Sequence, residues 1–236
     1  MLFEPHRSLN IGIRPPPMQA RLYAPMVSAL AVGIIGLAVV SFLDLGLISR
    51  HMAIHIAMMN VAAPLLAAGL GATGWIGHKA SSSSAIWSAA ILQMALLWAW
   101  HSPSLQQATH ASSILALVLH TGLLLTAVAF WGVLIAAYDR PWQGILALLM
   151  SGKFACLLGA LLVFSPHLIT HPPAAAHRAM PGMHTLIDDQ HLAGLLMLAA
   201  CPISYILAAI YWTSQEINNR PRHVPRGESY RPSVGN

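Results

Sequence analysis

His51 and His55 lie four residues apart, so on a helix they share one face. Met58 and Met59 continue that face deeper into the same apolar run. Imidazole and thioether are ligands that Cu(I) accepts, and imidazole with oxygen suits Cu(II). A face reading His, His, Met is therefore able to hold copper in either state. His101 falls at the end of a third apolar run, His120 about two turns into a fourth, and His191 opens a sixth. Gln190, Gly194, Met197 and Cys201 form a further stripe at helical spacing on that sixth run. The bland alternatives stand beside this reading. A methionine stripe in an apolar helix is commonly packing, a lone histidine there can simply bond a neighbouring helix, and Cys201 reads as a small buried residue before it reads as a ligand.

The residues that must position these groups are almost all apolar. Of 236 residues, 56% are hydrophobic and 8% charged, with a mean hydropathy of +0.63. A soluble domain carries roughly 25% charged residues, so this surface cannot face water on all sides. In lipid only helices and closed barrels satisfy the backbone. The apolar runs are continuous rather than alternating, which predicts helices. The fold expected is all-α: a polytopic membrane bundle of about six spans, each needing roughly 20 residues to cross the ~30 Å core. The runs are 24–47, 51–70, 85–100, 112–138, 142–164 and 190–212. The third is short and is expected to extend back into its serines or to tilt little. The first reads as a retained helix rather than a cleaved signal. Residues 1–23 form a polar leader with three prolines in a row, 24–212 the bundle, and 213–236 a basic tail.

Basic residues predict the orientation. Arg7, Arg14, Arg21, Lys79, Arg140, Arg220, Arg222, Arg226 and Arg231 fall on one side, Arg50 and Arg178 on the other. The positive-inside rule then places both termini in the cytoplasm. On that topology ten of the 13 histidines lie on or near the outer side. His167, His171, His177, His184, Met180 and Met183 fall in or beside an outer loop, 165–189, that reads either as a lip gathering metal ions or as a plain linker. Asp188 and Asp189 are expected to cap the sixth helix or to orient His191 as a ligand. Lys153, mid-span, is a functional candidate by default, with a structural ion pair as its alternative. Cys156 and Cys201 sit in apolar runs and predict no disulfide framework. No phosphate loop, zinc-protease motif or serine elbow occurs, so no enzyme is expected.

The blocks His51-Met52-Ala53-Ile54-His55 with Ala63-Pro64-Leu65-Leu66, Trp100-His101-Ser102-Pro103, His120 with Phe130-Trp131, and Asp189-Gln190 with Ala193-Gly194 and Met197 resemble, in this order, the motifs of the CtaG family of cytochrome c oxidase assembly factors, first associated with caa-type oxidases. The resemblance covers about residues 43–212. It implies a multi-pass protein of the bacterial cytoplasmic membrane that helps mature a haem–copper oxidase by handling copper at the periplasmic face. Its partners would be the oxidase catalytic subunit or other assembly factors, with the bilayer and no nucleic acid; a homo-oligomer is compatible. It carries over His51, His55, His101, His120 and Met197 as metal residues. His191, Asp189, Gln190, His184, Met183 and Cys201 are further candidates for gathering or orienting. The chain departs from the family in showing six runs where members often have seven helices, and in Leu198 where a tryptophan often follows the methionine. His191 and the histidine-rich loop look like local additions. Three alternatives remain open: an accessory subunit of a respiratory complex without metal, a membrane cytochrome b ligated through His55 and His120, and, less favoured, a metal transporter.

Overall fold

The structure is a computed structural model and describes residues 45–72, 82–137, 140–169 and 183–219, together with residue 31. The leader, nearly all of the first apolar run, the 73–81 loop, His171, His177 and the tail after residue 219 lie outside the described residues. Those described are helical throughout the bundle. The elements are α1 (Leu47–Ala57), a π-helical turn (Met58–Ala62), α2 (Ala63–Ala72), α3 (Ser83–Trp100), α4 (Pro103–Ala111), α5 (Ser113–Ala136), α6 (Pro141–Phe164) and α7 (Met183–Asn219). Five stretches among them are long and apolar enough to cross a membrane: Leu47–Gly71, Ser83–Trp100, Ser113–Ala136, Pro141–Phe164 and Leu186–Gln215.

The third span does extend back into the serines. Ser82 caps it by accepting from the Ala85 amide at 3.2 Å, and Ser112 caps α5 in the same way through Leu115 at 3.3 Å. Between the third and fourth spans lies the short helix α4, started by Pro103 in its first turn, where a missing N–H costs nothing. One boundary differs from the sequence expectation: α7 begins at Met183, so the last seven residues of the expected loop, 183–189, are helix, and Asp188 and Asp189 lie inside α7 rather than capping it.

The π turn has a cause in the sequence. Pro64 lacks an amide hydrogen, and its ring excludes the carbonyl four residues earlier, that of Asn60. The helix widens there, and the Ala63 amide donates to Met58 O instead of Met59 O. Met59 O is taken by the indole Nε1 of Trp131, 3.0 Å away on α5. One proline thus sets both a local change of register below His55 and a cross-helix tie.

Apolar helices gain little from hydrophobic burial against one another in lipid, so close packing and buried polar bonds must join them. Both occur. Gly159 of α6 and Gly194 of α7 bring their backbones into contact: a Cβ on Gly194 would lie 2.8 Å from Gly159 O, and one on Gly159 would lie 3.0 Å from Gly194 O. At one end of the bundle Asp189 of α7 caps α1. Its carboxylate accepts from the Ile48 amide at 2.7 Å and the Ser49 amide at 3.1 Å, and also from the Ser49 hydroxyl. A negative charge at a helix N-terminus is favoured by the helix dipole as well. Gly46 makes this possible, because a Cβ there would collide with the Asp189 carboxylate.

Candidate metal centre

Three histidines from two helices meet near one end of the bundle. His51 and His55 come from α1, and His120 from α5. At ~1.5 Å per residue His55 lies about 12 Å along α1 and His120 about 10 Å along α5, so they share a depth. Each offers a ring nitrogen, and these atoms lie within 4.8 Å of one another. Ring centroids are 4.4 Å apart for His51 and His55, 5.3 Å for His51 and His120, and 5.2 Å for His55 and His120. Trp100 closes one side, 4.3 Å from His120 and stacked against His51 and His55 at 5.7 and 5.6 Å.

The protein prepares two of these rings as ligands. His120 Nδ1 bonds Ala116 O at 2.7 Å, which makes it the protonated nitrogen and leaves Nε2 as the lone-pair donor. His55 is buried and its Nε2 has no hydrogen-bond partner. A buried polar atom without a partner costs free energy, and a metal ion is one species that would remove that cost. His51 lies nearer the surface than His55. A tetrahedral or trigonal ion at ~2 Å holds its nitrogens roughly 3.3–3.5 Å apart, so modest rotamer changes bring this set to ligating distance. The donor set therefore fits a metal.

The other sequence candidates fall in different places. His101 is buried, with Nδ1 on Leu97 O at 2.8 Å, and is not one of the three. Burial pushes its pKa below the ordinary 6.5, although the Leu97 carbonyl works the other way. Met197 and Cys201 are buried on α7 and share a small cavity with His55. Asp189 is occupied by α1, as described above. Gln190 accepts from the Ile169 amide at 2.7 Å and donates to Leu162 O and His167 O, so it fastens the chain leaving α6. His191 bonds Ser165 O at 3.4 Å in the same corner. His167 is exposed there, and His110 is exposed on α4. The side chains of Met183 and His184 lie outside the described residues. Lys153 is exposed on the outward face of α6, apart from the imidazoles.

Sequence reasoning missed Trp100 as a wall of the cluster, the tie from Trp131 to the π turn, and Asn60. The signal for the second was Pro64 inside an apolar run, four residues after a polar Asn60.

These features define a class: a protein that, among its described residues, is helical, with five membrane-length apolar helices and an imidazole cluster at one end. A model of the cytochrome c oxidase caa3 assembly factor family (Caa3_CtaG) matches residues 12–218, most of the chain, and the chain belongs to that family. No curated protein and no solved structure matches it.

Proposed function

We propose that this assembly factor captures copper for a haem–copper oxidase at the periplasmic face of the bacterial inner membrane, with both termini in the cytoplasm and no catalytic turnover. The observation that carries the reading is the convergence of His51, His55 and His120, with an orphaned His55 Nε2 among them. Two imidazoles on one helix and a third on another form a site that can load and release by ligand exchange, since α1 and α5 need shift only slightly to part them. His101, buried at the end of α3, adds a further imidazole, and Met197 of α7 lines a cavity together with His55. Copper is cargo in this reading, and the oxidase catalytic subunit or a fellow assembly factor receives it.

The geometry speaks less well for a haem. The cavities that His55 lines measure about 20 and 10 Å³, and His51 and Trp100 crowd the space that a porphyrin between His55 and His120 would need. Metal analysis of the purified full-length chain tests the reading. Copper retained by the parent protein should fall in H51A/H120A by the share bound to imidazole, and oxidase activity in cells should fall with it. Copper content unchanged by that pair of substitutions would sink the proposal, and a Soret band in the parent protein would replace copper by haem.

A further inference from the structure

Directly inward of the imidazoles lies a second group of metal-binding side chains. A small cavity of about 20 Å³ is lined by Met52, His55, Met59, Asn60, Met197 and Cys201, with apolar neighbours and Tyr205. Four of those six residues bear sulfur, and they come from α1, the π turn and α7. A cavity of this size admits one atom-sized guest and little else. Taking Asp189 and Ile48 as a common level, Met197 lies about 12 Å and Cys201 and Asn60 about 18 Å inward along their helices. The cavity therefore reaches from the depth of His55 toward the middle of the span.

We propose that this cavity is a Cu(I) site, held by Cys201 with Met197 and Met59, and that it forms an inner station next to the outer imidazole site. The inference rests on the copper reading given above and adds to it a second place and an oxidation state. Three observations support it. The donors are thioether and thiol, which select Cu(I) among the ions a cell supplies. The Asn60 side-chain amide donates to Cys201 Sγ at 3.5 Å, so the sulfur already has a partner that favours its anionic form. Two buried acceptor atoms beside the cavity, His55 Nε2 and Asn60 Oδ1, have no hydrogen-bond partner.

Charge decides the oxidation state. Loading converts the Cys201 thiol to a thiolate bound to Cu(I) and releases one proton, and the ion itself is neither oxidised nor reduced. Thiolate and Cu(I) cancel, which leaves a neutral site where an uncompensated charge would be expensive. Cu(II) at the same ligands would leave a net positive charge in the span. His55 lines both this cavity and the one shared with Met58 and His120. One ring can therefore exchange an ion between the two stations by a small rotation.

The full-length protein in detergent is loaded anaerobically with a Cu(I)–acetonitrile complex and desalted, and its copper is examined by X-ray absorption. The parent protein is expected to hold about two ions per chain and to show both Cu–imidazole and Cu–sulfur scattering. C201S/M197L should lose the sulfur signal and one ion, while H51A/H120A should lose most of the imidazole signal and keep the sulfur. No sulfur scattering in the parent protein overturns the inner station without any appeal to a variant, and so does an unchanged stoichiometry in a folded C201S/M197L. Loss of the imidazole site alone, with sulfur scattering intact in the parent protein, would instead remove the outer site.

Discussion

Among single residues, Asp189 has a structural role other than those expected from the sequence: it caps α1, not its own helix. It is buried, and it satisfies two amides and a hydroxyl of α1. Asp189→Ala leaves the Ile48 and Ser49 amides buried without partners, at about 1–3 kcal/mol for each group, while the Ser49 hydroxyl keeps the backbone carbonyl of residue 189 at 2.9 Å. Its thermal midpoint in detergent should fall well below that of Asp189→Asn, which keeps one acceptor. Equal midpoints for the two would contradict the capping role. His101 gives a second expectation, in pH. The unfolded chain binds its proton near 6.5, and the folded chain only at lower pH because burial opposes the charge. The unfolded state thus holds more protons between those values, and stability falls as pH drops from 6.5 toward the folded pKa. His101→Gln should lose less stability between pH 7.5 and pH 5.5 (about the window in which histidine titrates) than the parent protein does. A fall as steep as the parent's would assign the sensitivity to other histidines. That the side chains of His51, His55 and His120 meet was legible from spacing and depth. That Asp189 belongs to α1 was not, because 140 residues separate it from Ser49.

At the scale of elements, the π turn sets where His51 and His55 stand, and the glycine contact holds α6 against α7. Pro64 forbids regular α geometry beneath it, and His51 and His55 sit just above the widened turn. Pro64→Ala would let Asn60 O accept a regular bond, changing the register between α1 and α2 and turning the two imidazoles away from His120. Copper affinity should fall roughly tenfold or more, as it does when ligand-orienting contacts are lost, while the protein remains folded. Unchanged affinity would show that the register is held by Trp131 alone. Gly194→Leu acts elsewhere. It drives a side chain into Gly159 O and Val163, where a Cβ alone would already lie 2.8 Å from each, so α6 and α7 must separate. A lower yield of folded protein and a lower midpoint are expected, with overpacking costing about 1–3 kcal/mol or more. The apolar runs made the helices themselves plain. Their exact ends were less so, because α4 and the first turns of α7 are built from polar residues that read equally well as loop.

On the scale of the whole molecule, the imidazoles gather at the end that holds Arg50 and α4, and Arg140 begins α6 at the opposite end. The sparse basic residues predict that the first of these ends faces outward. The two native cysteines of the chain, Cys156 and Cys201, lie within apolar spans, which keeps a charged thiol reagent applied to intact cells from reading them first. A cysteine introduced at Ser104, exposed on α4, should react in intact cells with a membrane-impermeant maleimide. One introduced at Trp142, exposed at the start of α6, should react only after the cells are opened. The reverse pattern would place the imidazole end in the cytoplasm and with it the point at which copper enters. Lys153→Leu should leave both the labelling pattern and copper retention as they are, because that side chain lies on the outward face of α6, away from both proposed stations. A loss of copper in that variant would tie the mid-span cation to the metal path after all.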